Sequence, residues 1–113
     1  MGLLALSGGI YGLTNPLAFS PVLGIPVASP YSLTLPFISF TAARNLGSGI
    51  TMLTLLAAGQ RKAVGLCMMC GVVTAISDAW ICAKFGATKG KARGHAVMGV
   101  LAGALGAGMW WMN

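Results

Sequence analysis

Two long apolar segments each enclose one charged residue, and that arrangement leaves the chain very few ways to fold. Arg44 stands in LPFISFTAARNLGSGITMLTLLAAG, and Asp78, the only Asp or Glu among 113 residues, stands in GLCMMCGVVTAISDAWICAKF. Ionisable groups at membrane depth cost roughly 2.5–3.5 kcal/mol each on insertion scales, so they pair, face inward and mark working sites. Only Gly59-Gln60-Arg61-Lys62 breaks the apolar run between the two segments. Arg44 precedes Gln60 by the same number of positions as Asp78 follows Lys62. In an antiparallel helical hairpin rising ~1.5 Å per residue, both then sit about 24 Å from the turn. The equal offsets predict a direct or one-water contact between them.

Only eight of the 113 residues are charged, against about a quarter in soluble domains. Such a chain cannot supply the polar shell of a soluble fold, so it reads as a multi-pass integral membrane protein forming one domain over residues 1–113. The basic residues gather as Arg61-Lys62 and as Lys84, Lys89, Lys91 and Arg93, beside apolar runs. That placement suits the headgroups of a lipid bilayer and excludes a nucleic-acid partner, which would need a basic face on a soluble fold. The opening MGLLALSGGIYGLTNPLAF lacks a basic n-region and is read as a retained span, not a secretory signal. One acid, one histidine and three thiols spread along one apolar segment make no metal-ligand set, and no metal or cofactor is expected.

Hydropathy predicts spans of about 2–19, 36–59, 62–85 and 94–112. SPVLGIPVASPY is a non-helical connector after the first, Pro36 suits the first turn of the second, and GATKGKARG is the loop before the fourth. Nothing alternates as barrel strands do. The expected fold is all-α, a four-helix up-down transmembrane bundle. Positive-inside logic puts the Lys/Arg-rich third loop in the cytosol and both termini on the other side. Gly8 with Gly12, and Gly99 with Gly103 and Gly106, allow close helix approach. Ordinary intramembrane packing is favoured over a dimer motif, with a homo-oligomer through these Gly-rich helices left open.

Helical spacing adds polar residues to the two charges. Thr41, Arg44, Ser48 and Thr51 share one face of the second span, and Cys70, Thr74, Asp78 and Cys82 share one face of the third. Asn45 adjoins Arg44. Tyr11, Asn15, Tyr31 and His95 all lie toward the same membrane side, with His95 within about two turns of the Asp78 level. The functional reading is an amphipathic pocket on which Arg44, Asp78 and His95 converge. The plainer alternative is a structural ion pair with Ser and Thr as inter-helix glue. The former is preferred, because a purely structural buried pair is replaceable by apolar packing. Cys67-Met68-Met69-Cys70 forms a CxxC, but no positive helix end or neighbouring base stands beside it to activate a thiol, so packing is preferred over redox chemistry.

Gly24-Ile25-Pro26, Ala43-Arg44-Asn45, Ser77-Asp78 and Gly94-His95 form a series that resembles the domain-of-unknown-function 4267 family, small four-span membrane proteins of fungi and bacteria. The resemblance covers most of the chain and implies a bundle with an Arg/Asp/His polar centre. In that family the arginine is usually followed by aspartate, whereas here Asn45 stands in that place, which removes one candidate carboxylate. The occurrence of fungal relatives beside pathways for epoxidised polyenes implies epoxide opening or cyclisation as a chemistry; if the chain is fungal, the endoplasmic reticulum or another internal membrane is the expected location.

The leading expectation is therefore a membrane-embedded enzyme acting on a lipophilic small molecule, by acid–base epoxide opening, cyclisation or isomerisation in natural-product biosynthesis. Asp78 would be the general base, Arg44 the stabiliser of developing negative charge, and His95, Tyr11 or Tyr31 the proton donor. Asn45, Thr41, Ser48 and Thr74 would support substrate or water. The alternatives are a non-catalytic membrane adaptor, chaperone or small-molecule carrier and, less favoured, a thiol redox enzyme similar in size to quinone-linked epoxide reductases.

Overall fold

The computed structural model describes residues 1–86 and 89–112, Lys89 by its backbone only. Ala87, Thr88 and Asn113 lie outside the described residues, and with them two residues near the start of the expected third loop and the last residue of the sequence. Every described regular element is an α-helix: α1 (Gly2–Thr14), α2 (Pro16–Leu23), α3 (Leu35–Ala57), α4 (Arg61–Phe85) and α5 (Lys89–Trp111). The all-helical expectation holds, with two corrections to the element bounds.

The first predicted span is two helices, not one. Its apolar run breaks at Asn15, whose backbone leaves the helical region (φ −143°, ψ 71°) and whose side-chain oxygen accepts the Ala18 N–H at 3.2 Å. Asn15 thus caps a new helix, and Pro16 takes the first-turn position where its missing N–H costs nothing. That helix also carries Ser20 to Leu23 into what reads as connector, and tolerates Pro21 inside it. The second correction is at α5, which starts at Lys89, ahead of the apolar segment. Polar residues can be helical, and hydropathy reports burial in an apolar phase, not helix ends.

The chain divides into two compact units, Met1–Leu53 and Thr54–Asn113. In the first, α1 and the body of α3 run antiparallel with glycines at the contact. A methyl group on Gly9 would meet the Leu46 Cα at 2.6 Å, and one on Gly49 would meet the Leu6 backbone nitrogen at 2.6 Å. Phe19 of α2 packs with Ile38 and Ala42 of α3 to form a small core, with Leu23 and Val27 against it. Ser20 is fully buried there; its Oγ donates to the Leu17 carbonyl at 2.9 Å and accepts the Val27 N–H at 3.0 Å. Gly24, at φ 89°, ends α2 in the left-handed region, where the Ile25 N–H reaches back to the Ser20 carbonyl. That is a Schellman ending, which favours glycine at its left-handed position.

In the second unit, a matching ending closes α3. Gly59 has φ 72°, and the Gln60 N–H donates to the Leu55 carbonyl at 2.8 Å. Helices α4 and α5 then pair antiparallel along a glycine-notched seam. Methyl groups on Gly65 and on Gly106 would each lie 2.6 Å from the other residue's carbonyl oxygen, so the two backbones touch. Gly103 faces Val72 and Gly99 faces Ala75 further along. The glycines at the α5 contact are thus occupied by α4 of the same chain.

Among the described residues, α4 is the helix long and apolar enough to cross a membrane, and its most apolar stretch is only 11% buried within the chain. A core helix of a soluble protein would be mostly covered. Val73, Ile76 and Trp80 instead point outward, an arrangement that suits an apolar surrounding. Lys84 lies 5.0 Å from the Trp80 ring and 5.2 Å from the Phe85 ring. Arg61 and Lys62 mark the helix's other end. The stretch from Lys62 to Lys84 covers about 33 Å at the helical rise, close to a hydrocarbon thickness of ~30 Å.

Candidate functional site

The register of α4 against α5 fixes the level of the only carboxylate. Val72 faces Gly103 and Ala75 faces Gly99, so one more turn along α4 and one turn back along α5 bring Asp78 level with His95. Both residues are half-buried. By helical angle, His95 lies close to the direction of Gly99 and Gly106, and Asp78 flanks the direction of Ala75 and Cys82. Carboxylate and imidazole are therefore on adjoining faces of two touching helices, with Ser77 beside the carboxylate and Arg93 near the imidazole in sequence. Thr74, one turn before Asp78 on the same face, is exposed; Cys82, one turn after it, is buried.

The remaining predicted residues belong to the first unit. Gly9 faces Leu46 and Gly12 faces Ala42, so Tyr11 is level with Arg44. Their directions differ, however. Arg44 is exposed on the side of α3 turned away from α1, whereas Asn45 is half-buried toward α1. Tyr11 packs edge-on against Phe19, with ring centroids 5.7 Å apart. Thr41 donates its hydroxyl to the Phe37 carbonyl at 3.1 Å, the back-bonding common for helical threonine. Ser48 is exposed, and Tyr31 is 93% exposed in the connector. The two units thus hold separate groups: Asp78, His95 and Thr74 in one; Arg44, Asn45, Tyr11, Tyr31, Thr41 and Ser48 in the other.

Of the cysteines, Cys67 and Cys70 are exposed and Cys82 is buried. Among the described residues, no three His, Cys, Asp or Glu side chains gather as a metal centre would require.

Sequence reasoning passed over one feature of the second unit. Beside the start of α4 and the end of α5, a groove of about 450 Å³ is lined by Leu56, Leu105, Gly108, Met109 and Met112, with Arg61 at its edge. Arg61 and Asp78 are about 25 Å apart along α4 at the helical rise, so the groove is remote from the carboxylate. The available signal was a lone basic pair at one helix end opposite a Gly-Met-Trp-Trp-Met ending.

The model of the family described as Domain of unknown function (DUF4267) matches residues 2–109. No curated protein and no solved structure matches the chain.

Proposed function

The chain belongs to the DUF4267 family, and we propose that it is a membrane-embedded acid–base catalyst acting on a lipophilic small molecule, with epoxide opening as its reaction. The observation that carries this reading is the common level of Asp78 and His95 on touching helices, both half-buried. A carboxylate and an imidazole side by side in an apolar phase can take a proton from one oxygen and give one to another.

In the reaction we envisage, Asp78 accepts a proton from water as that oxygen attacks one epoxide carbon. The C–O bond breaks, and the freed oxygen receives a proton from the His95 imidazolium. Proton return from Asp78 to His95 restores the pair, so the net change is addition of water across the ring bond. A substrate hydroxyl in place of water gives a cyclic ether. Arg44 is assigned to the negative charge on the leaving oxygen and to the Asp78 carboxylate. Its pairing with Asp78 rests on the sequence offsets. Asn45, Thr41, Ser48 and Thr74 are the supporting polar groups, and Tyr11 and Tyr31 the alternative proton donors.

The same reading has the α1–α2 pair, α3, α4 and α5 making four passages through an internal membrane. Support comes from the α4 length, its exposed apolar side chains and the aromatic and basic residues at its ends.

The test is Asp78→Asn in protein reconstituted into vesicles and given a long-chain epoxide. Asn keeps the shape of the carboxylate but cannot accept the proton, so turnover should fall at least ~100-fold with the protein still inserted. Undiminished turnover in Asp78→Asn and His95→Gln would overturn the catalytic assignment. A second reading, a non-catalytic carrier of lipophilic molecules, draws on the groove at Arg61, which lies far along α4 from Asp78. Biological function surviving both substitutions would favour it.

A further inference from the structure

We propose that the groove at the α4 start is a binding site for an anionic phospholipid, with the phosphate on Arg61 and the first methylenes of an acyl chain in the groove. The shape fits. Leu56, Leu105, Gly108, Met109 and Met112 make an apolar floor, and Arg61 is the charged group on its lining. A volume of about 450 Å³ falls in the range of small-molecule sites, ~300–1,000 Å³. It holds the glycerol region and a short length of chain, and leaves the tails in the bilayer. Methionine adapts to a mobile alkyl chain better than branched residues do.

The level fits as well. Gly65 meets Gly106 in the antiparallel pair, so one turn outward Arg61 is level with Trp110. The exposed rings of Trp110 and Trp111 then lie at the same end of the hairpin as Arg61 and Lys62. Tryptophan with arginine and lysine at a helix end marks the headgroup zone of a bilayer. Charge selects the headgroup: the chain carries seven basic residues and one acid, and that acid lies about 25 Å away along α4. A zwitterionic lipid would bring a quaternary ammonium for which the groove has no carboxylate; phosphatidylglycerol brings a phosphate and no cation. The site shares only membrane embedding with the function proposed above and is independent of Asp78 chemistry.

The experiment uses the full chain carrying Trp80→Phe, so that fluorescence reports from Trp110 and Trp111. The protein is placed in nanodiscs containing brominated phosphatidylglycerol or brominated phosphatidylcholine at equal mole fraction and physiological salt. Quenching should show a roughly fivefold preference for the anionic lipid, the scale of one basic residue at a charged membrane surface. Arg61→Gln should abolish the preference. Gly108→Leu should abolish it too, by filling the groove with Arg61 intact; nothing lies within 4 Å of a Cβ at Gly108, so the fold accommodates it. Lys91→Gln, at the other end of the hairpin, should leave the preference unchanged. Three results would each overturn the proposal. They are equal quenching by the two lipids, a preference that survives Gly108→Leu (general surface charge only), and complete loss of the preference on adding inorganic phosphate (a soluble-anion site). Failure of the protein to enter nanodiscs would overturn it together with the membrane reading, while loss of Asp78-dependent turnover alone would not touch it.

Discussion

Replacing Gly65 by alanine tests whether the α4–α5 seam is held by backbone contact. The added methyl would stand 2.6 Å from the Gly106 carbonyl oxygen, where ordinary contact begins near 3.4 Å. The neighbour is backbone and cannot rotate away, so the helices must part by about 0.8 Å at that point. Parting them also loosens Val72 against Gly103 and Ala75 against Gly99. Overpacking of this kind costs typically 1–3 kcal/mol. Alanine itself favours the helix by about 0.8–1.0 kcal/mol over glycine, which blurs a comparison with the native chain. Gly71→Ala removes that ambiguity: it lies in the same helix, and nothing is within 4 Å of its Cβ. The propensity gain is common to both variants, so Gly71→Ala should exceed Gly65→Ala in stability by about 1–3 kcal/mol. Gly106→Ala should behave like Gly65→Ala, and the double variant should cost less than the sum, because one separation of the helices relieves both clashes. Reversible unfolding in mixed micelles of rising SDS fraction, followed by tryptophan fluorescence, gives these differences. Equal midpoints for Gly65→Ala and Gly71→Ala would refute backbone contact as the basis of the seam.

Ser20→Ala should cost about 1–3 kcal/mol in the same titration, since it strands the Val27 N–H in a buried place. Gly59→Ala should cost about 1–2 kcal/mol despite open space around its Cβ, because φ 72° lies in the left-handed region that side chains disfavour; a midpoint like that of Gly71→Ala would contradict this. Replacing both Cys67 and Cys70 by serine should leave epoxide turnover nearly intact. Loss of turnover in that variant, with Asp78→Asn still active, would transfer the chemistry to the thiols.

The long helices were legible because their signals are redundant. For α3 and α4, apolar length, Pro36 near the start and the Gly59 break all agree, and the observed ends differ from the expected ones by at most two residues. Near Asn15-Pro16 one signal had two meanings. The dipeptide ends one helix and starts another, and apolarity on both sides concealed that the chain turns between them. At α5 the Lys-rich lead-in looked like loop because charge was equated with irregular backbone. In the site, spacing placed Asp78 and His95 close in level, since a short loop between two helices constrains register. The groove at Arg61 was not legible, because it depends on how closely the helices approach, which glycine contacts decide and hydropathy does not record.

The glycine seam also bears on how the chain is made. Only a short link separates Phe85 from Lys89, so α4 is complete while α5 is still being synthesised. Its notched face is then bare, and on the membrane reading proposed above the rest of its surface would meet lipid. The newcomer begins with lysine and arginine and is less suited to entering alone, but it meets a template already in place. Closing such a local contact involves little loop entropy. On the membrane reading proposed above, the hairpin would thereby serve as its own insertion partner. A substitution at Gly65 should show first during biosynthesis, as newly made α5 left outside and taken by quality-control proteases.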